Sequence, residues 1–334
     1  MQGIKILGTG SYIPPKVVSN DDFAEFIETS DEWIRSRTGI GQRHISDDKS
    51  NNRMAAEAAE KAIADSGISP EEIDLVIVST CTPDYFYPSM ACMVQGAIGA
   101  VNAAAVDVNA ACSGFIVALD MAHKYLNFDE YKYILIVASE RLSPQLDFED
   151  RASCVLFGDG AGAVVVTKSD KKFCSFIGAN GEQEGPNKTL YCKVNYDPNC
   201  PFIDDGKLYD GIIDNDKQHK YLQMAGKGVY KFAVTAMPKA AQIVCGKVGI
   251  DVKDVDLLIP HQANIRIIET AVKTMGIDPE KVYTHLEYYG NTSSSCIPMC
   301  LDDLKREGKL HEGMKICLVG FGAGLTYGAA YLEF

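Results

Sequence analysis

Residues 103–126 read AAAVDVNAACSGFIVALDMAHKYL, and the rest of the chain is interpreted outward from this stretch. Residues 103–109 are apolar, β-branched and few, the pattern of a buried strand. Residues 115–126 are apolar on most faces, which predicts a buried helix. Between them lies Ala110-Ala111-Cys112-Ser113-Gly114. Cys112 is therefore expected at a strand-to-helix turn, at the N-terminus of a helix shielded from water. Unpaired amides and the helix dipole at that end favour a thiolate over a thiol. Gly114 removes a side chain where a substrate would approach closely. Two readings of Cys112 stay open here: a nucleophile, or a core cysteine that only fills space.

Upstream, residues 4–10 read as a first strand ending in a glycine turn. Asn20 or Asp21 is a candidate cap for a short helix, and Ser30 for the next one, in Thr29-Ser30-Asp31-Glu32-Trp33. Trp33 is the only tryptophan, and Arg35, Arg37 and Arg43 follow it. It is either a core aromatic or a stacking surface for a flat ligand. Residues 52–67 form a helical pattern ending in glycine. Residues 73–79 (IDLVIVS) are a buried strand, 81–88 a loop holding Asp84, Tyr85, Phe86 and Tyr87, and 89–98 a further helix. Downstream, 133–139 (YILIVAS) is another buried strand. Phe157-Gly158-Asp159-Gly160-Ala161-Gly162 reads as a glycine-rich turn before a strand at 163–166. It precedes a strand rather than a helix, so it is not a dinucleotide fingerprint.

The pattern then recurs. Gly67-Ile68, five residues and Asp74-Leu75-Val76-Ile77 match Gly249-Ile250, five residues and Asp256-Leu257-Leu258-Ile259. The glycine-rich ending returns at 320–324. Two copies of an α/β unit imply a pseudo-twofold core, with ligands beyond the carboxyl ends of the strands. The expected organisation is an N-terminal half over 1–181, a connecting segment over 182–220 and a C-terminal half over 221–334. The connecting segment is rich in Asp, Asn, Pro, Gly and Tyr and reads as an exposed connection. In the second half, a strand ends at Pro260, and His261-Gln262-Ala263-Asn264 follows before a helix at 265–275. Tyr288-Tyr289-Gly290-Asn291-Thr292-Ser293 is a turn ahead of another helix. An offset of about 182 residues, read from the repeats, places Asn291 near the counterpart of Cys112. All three residues would face one end of the sheet. Alone, His261 reads more readily as a satisfied core histidine and Asn291 as a helix cap; together they favour a site.

Composition sets the outer bounds. The 334 residues are 46% hydrophobic, enough for a sizeable core. A net charge of −13 argues against a general nucleic-acid binder. The 11 cysteines include no CxxC pair. Cys296 and Cys300 lack a following His or Cys pair, so no metal site is expected. Neither a signal peptide nor a run of about 20 apolar residues is visible, so no membrane partner is expected. A soluble, reduced, cytoplasmic enzyme is the simplest expectation.

Cys112 in NAACSGF, His261 in PHQANIR and Asn291 in GNTSSS resemble the Cys-His-Asn triad of the β-ketoacyl-ACP synthase III family. These are the initiating condensing enzymes of fatty acid synthesis, in the thiolase superfamily. GTGSYIP (8–14), TSDEWIRSRTGI (29–40), FGDGAGA (157–163) and GFGAGLTYGAA (320–330) extend the resemblance over nearly the whole chain except 182–220. Thiolases carry a second cysteine in the C-terminal glycine loop, which is absent here. Elongating synthases use two histidines, and hydroxymethylglutaryl-CoA synthases add a glutamate base with no match in the cysteine's neighbourhood. Ser113 and Ala323 depart from the alanine and glycine more usual in the family.

The resemblance implies a thiolase-like α/β fold of duplicated halves in five α-β-α-β-α layers. It implies condensation of an acyl-CoA primer with malonyl-ACP through an acyl-cysteine, with release of carbon dioxide. Backbone N–H groups of Cys112 and Ala323 would form the oxyanion hole. Trp33, Arg37 and Arg151 would hold the adenine end of CoA, and Asn264 would line the pantetheine tunnel. Lys227, Lys231, Arg266 and Lys273 form a candidate basic patch for acidic ACP. A homodimer is implied, in which Tyr87 of the loop 81–88 closes the partner's acyl pocket. No cofactor is expected; the CoA thioester is the substrate. A related condensing or acyl-transfer enzyme of specialised lipid or secondary metabolism is the alternative. A scaffold that kept the fold and lost catalysis is the non-enzyme reading, which an intact triad disfavours.

Overall fold

Strands that are apolar at consecutive positions need cover on both faces. The computed structural model shows that cover, and describes residues 3–182, 189–192 and 221–334. Nearly all of the predicted connecting segment over 182–220 lies outside the described residues. In chain order the elements are β1 (Gly3–Tyr12), β2 (Lys16–Ser19), α1 (Asn20–Ala24), α2 (Asp31–Thr38), β3 (Gln42–Ile45), α3 (Asn51–Ser66), β4 (Leu75–Ser79), α4 (Met90–Ile98), β5 (Ala104–Val108), α5 (Gly114–Tyr125) and β6 (Tyr133–Glu140). They continue with β7 (Gly160–Ser169), β8 (Phe173–Ala179), β9 (Leu190–Tyr191), β10 (Gln223–Met224), α6 (Gly226–Lys247), β11 (Leu257–Pro260), α7 (Ile265–Met275), α8 (Leu286–Tyr289), α9 (Cys296–Arg306), β12 (Lys315–Gly322) and β13 (Thr326–Glu333).

The first sheet has the order β1-β7-β6-β4-β5, the second β8-β13-β12-β11. The orders superpose as duplicates: β4 corresponds to β11, β6 to β12, β7 to β13 and β1 to β8. The counterpart of β5 shrinks to one parallel bridge, Leu258 to Val282. Alternate residues of each strand face different cores. Leu75 and Ile77 of β4 and Ile316 and Leu318 of β12 join α5 and α9 in a central core. Val76 and Val78 pack outward on α3 and α4. Cys317 and Val319 pack outward on α6 and α7. The layers are thus helices, sheet, the α5/α9 pair, sheet, helices, as expected. The two halves also share a backbone signature. Ala111 (φ 45°) and Ser293 (φ 54°) adopt left-handed conformations 182 positions apart, each just before a central helix.

Four expectations need correction. β5 is not fully buried: it closes one end of its sheet, and Ala105 to Val108 are only half-buried, because an edge strand lacks one neighbour. Gly160 and Gly162 belong to β7 rather than to a turn before it. They are glycine because α9 lies against them: a Cβ at Gly162 would stand 2.7 Å from the Met299 amide nitrogen. The cap of α1 is Ser19, in a reciprocal pair with Asp22, rather than Asn20 or Asp21. Lastly β8, sequentially within 1–181, is an outer strand of the second sheet. Ser30 does cap α2, accepting from the Trp33 amide, and α7 spans the expected 265–275.

Candidate active site

Cys112 lies in a 3-10 turn, Ala111–Ser113, between β5 and α5. The Ser113 hydroxyl donates to the Ala110 carbonyl at 2.8 Å and meets Thr326 Oγ1 at 2.7 Å. Thr326 Oγ1 in turn lies within hydrogen-bond reach of the carbonyls of Ala110 (3.2 Å) and Ala323 (3.1 Å), one of which its single proton can meet. Ser113 thus clips the cysteine turn to the C-terminal glycine loop. Gly322 permits that approach, since a Cβ there would stand 2.7 Å from the Cys112 amide nitrogen.

His261 follows the end of β11, where its amide donates to the Val319 carbonyl at 2.8 Å. Its ring is buried, edge-on to Phe321, with Nδ1 3.0 Å from Cys296 Sγ. Asn291 is held by a parallel bridge to Phe157: its amide donates to the Leu156 carbonyl, and its carbonyl accepts from Gly158. Asn291 Oδ1 accepts the Ser293 amide at 2.9 Å. That bond occupies the oxygen and leaves the NH2 of Asn291 to donate. Cys112, His261 and Asn291, from three separate elements, line one cavity of about 520 Å³.

The electrostatics correct one expectation. Burial pushes the Cys112 thiol up to about 12, against a hydrogen bond with the Ser293 hydroxyl that pulls it down. The nearby Glu140 carboxyl raises it further. Loss of water thus favours the thiol in the resting residue, where the helix terminus alone would favour the thiolate. Burial also lowers His261 to about 3, which leaves a neutral imidazole.

Glu140 was not singled out from sequence. It ends β6 and is fully buried. Its Oε2 accepts from the Cys81 amide (3.1 Å) and the Thr82 hydroxyl (2.8 Å), and its Oε1 from the hydroxyls of Ser293 (3.2 Å) and Ser294 (2.7 Å). Burial raises its pKa. So many donors mark it as a brace between the halves, not a free base. A glutamate closing the otherwise apolar run YILIVASE was the available signal.

Arg37, Asn264, Lys227 and Arg266 also line the cavity. The Arg151 guanidinium lies 4.5 Å over the Trp33 ring and that of Arg37 5.0 Å from it, so the three expected at the adenine end do cluster. Arg35 and Arg43 point elsewhere: Arg35 pairs with Asp31 and Glu287, and Arg43 is buried on backbone carbonyls. Asn264 caps α7 through the Arg266 amide (2.9 Å) and donates to the Arg37 carbonyl (3.1 Å). Arg266 donates to the Ser36 carbonyl at 2.8 Å, so it braces the cavity wall as well as carrying charge. Lys231 and Lys273 lie in separate grooves flanking α6 and α7. Ala323 does not line the cavity; its neighbour Gly322 does. Tyr87 is 87% exposed and lies outside the cavity of its own chain.

Comparison with known proteins matches this architecture. The family model "3-Oxoacyl-[acyl-carrier-protein (ACP)] synthase III" matches residues 106–185, and its C-terminal counterpart residues 245–334. A beta-ketoacyl-[acyl-carrier-protein] synthase III of Clostridium acetobutylicum is 46% identical, covering 100% of this chain and 99% of that protein. The Clostridium perfringens SM101 protein of the same name is 45% identical over the full length of both. The crystal structure of 3-oxoacyl-[acyl-carrier-protein] synthase III from Aquifex aeolicus VF5 superposes with TM-score 0.89 at 39% identity, covering 99% of this chain and 100% of that one. The priming beta-ketosynthase of the R1128 polyketide biosynthetic pathway has TM-score 0.89 at 35% identity, covering 99% of this chain and 96% of that one. With the duplicated sheets and the gathered Cys, His and Asn, these likenesses show that the chain belongs to the 3-oxoacyl-[acyl-carrier-protein] synthase III family.

Proposed function

We propose that this protein condenses an acyl-CoA primer with malonyl-ACP to give 3-oxoacyl-ACP, initiating fatty acid synthesis through an acyl-cysteine. The observation that carries the reading is the single cavity lined by Cys112, His261 and Asn291. Cys112 sulfur attacks the thioester carbon of acyl-CoA, and the departing CoA sulfur takes up the proton that the cysteine loses. The Cys112 amide, beside the Gly322 backbone that lines the cavity where the Ala323 amide was expected, stabilises the tetrahedral oxyanion. Malonyl-ACP then enters. As its C–C bond to the carboxylate breaks and carbon dioxide leaves, charge grows on the thioester oxygen. The Asn291 amide and the neutral His261 ring donate to that oxygen; a carboxylate there would repel it. The enolate carbon attacks the acyl-cysteine, forming the new C–C bond and freeing Cys112.

Nothing in this scheme calls for a metal or prosthetic group. Trp33, Arg37 and Arg151 supply the flat and cationic surface that a purine and its phosphates prefer. Lys227, Lys231, Arg266 and Lys273 sit on α6 and α7, which Tyr230 Oη and Thr270 Oγ1 join at 2.9 Å. In a chain of net charge −13 these positions are the proposed approach for acidic ACP. Two features support a homodimer: the half-buried edge strand β5, and the exposed loop of Tyr85, Phe86 and Tyr87. Among the described residues no helix is long and apolar enough to cross a membrane, and a cytoplasmic location suits the substrates.

The likeness to the polyketide priming ketosynthase keeps one second reading, priming of a specialised pathway by the same chemistry. A panel of acyl-CoAs with malonyl-ACP, products read by mass, tests both. Short primers alone support fatty acid initiation, and strong preference for an unusual primer supports the second reading. No 3-oxoacyl-ACP from any primer would refute both.

A further inference from the structure

We propose that Cys296 is a positioning residue for His261: its S–H donates to Nδ1 and holds the imidazole as the Nε2–H tautomer, so that the ring offers a donor to the Cys112 cavity. The argument starts from the sulfur. Cys296 Sγ lies 3.0 Å from His261 Nδ1 and 3.4 Å from the Gln262 amide nitrogen. An amide N–H only donates, so the sulfur accepts on that side. Its own proton then needs an acceptor, and among the described residues Nδ1 is the one it has. In the reverse arrangement Nδ1–H would also donate to the sulfur. A fully buried S–H would then have no acceptor, and a bare Nε2 lone pair would meet the enolate oxygen.

Both groups are neutral, because burial lowers His261 to about 3 and raises the Cys296 thiol. The ring is also held from slipping. The Gln262 side chain donates to the Pro260 carbonyl at 2.6 Å and accepts the His285 amide at 3.0 Å, locking the turn that carries His261. Asn291 shows the same device, since Oδ1 is occupied by the Ser293 amide and the NH2 is left to donate. Each side-chain donor of the site is thus oriented by a partner behind it.

The inference rests on the donor role proposed for His261, but its first test involves no turnover. Protein labelled with ¹⁵N-histidine is examined by two-bond ¹⁵N–¹H correlation, with His261→Asn assigning the signal among six histidines. Wild type and Cys296→Ser are expected to show Nε2–H, because a serine hydroxyl both accepts from Gln262 and donates to Nδ1. In Cys296→Ala an Nδ1–H population should appear. Carbon dioxide release from malonyl-ACP should then fall about tenfold or more, acyl-enzyme formation should stay near wild type, and Cys296→Ser should restore release. An Nδ1–H signal in wild type overturns the proposal, as does equal carbon dioxide release by the alanine and serine variants. Should the alanine variant misfold, the wild-type and serine spectra decide alone. An Nε2–H wild type that condenses no primer would refute the proposed function while leaving the tautomer assignment standing.

Discussion

At the scale of single residues, the two half-reactions separate. The thioester attack needs Cys112 and the amides around it, whereas the enolate needs the side-chain donors of His261 and Asn291. Loss of one such donor costs about 10²–10³ in rate. His261→Ala and Asn291→Ala are therefore expected to keep acyl-enzyme formation with acyl-CoA and to lose most carbon dioxide release. Cys112→Ala should lose acylation and condensation. Intact-protein mass beside labelled carbon dioxide reads both steps, and a His261→Ala enzyme that condenses at the wild-type rate would remove His261 from the mechanism. His261 also links stability to pH. Burial lowers it from the usual 6.5 to about 3, so between those values the unfolded chain binds a proton that the folded chain refuses. The stability tied to its neutral ring is full above about 6.5 and is lost as pH falls toward 3, by up to about 1.4 kcal/mol per pH unit. Urea midpoints from pH 7.5 to 4.5 should fall more steeply in wild type than in His261→Asn. Parallel curves would show that this ring titrates normally.

At the scale of elements, the site depends on how closely β12 approaches the turn before α5. Gly322 lets the strand pass with its backbone against the Cys112 amide. Gly322→Ala would insert a carbon 2.7 Å from that nitrogen, with Ala111 Cβ at 3.2 Å. These neighbours are backbone and a rigid turn, which yield poorly. The expected result is a loss of about 1–3 kcal/mol in stability and a disproportionate loss of acylation, as the oxyanion donors move. A mutant that loses stability but acylates at the wild-type rate would place the oxyanion donors elsewhere.

At the scale of the whole molecule, the open features lie on one chain's surface. Tyr85, Phe86 and Tyr87 are 56%, 67% and 87% exposed, and among the described residues β5 ends its sheet with no neighbour on one side. Tyr87 does not reach the cavity of its own chain. A second copy would cover these surfaces and bring Tyr87 to the partner's acyl pocket. Light scattering at micromolar concentration is expected to give a dimer mass, and Tyr87→Ala to widen the range of primers accepted. A monomer would contradict the first expectation, and an unchanged primer profile the second.

The duplication, the central helices and the three residues that carry chemistry were legible in the sequence, because each leaves a local trace. Apolar runs mark the buried strands, the repeated Gly-Ile and Asp-Leu spacing marks the two halves, and Cys112, His261 and Asn291 each sit in a turn just ahead of a helix. Most of what surrounds them was not legible. β5 looks like any buried strand until its place at the sheet edge is known. Gly160 and Gly162 look like a turn until α9 is seen against them. Burial by distant segments favours the Cys112 thiol, whereas local sequence reveals only the adjacent helix end. Glu140 bridges loops 213 positions apart, at Cys81 and Ser294, and Cys296 reaches His261 from 35 positions away. Local pattern encodes periodicity and turn chemistry. Which side chains meet across the central layer, and which of them donates, depends on how the two halves pack.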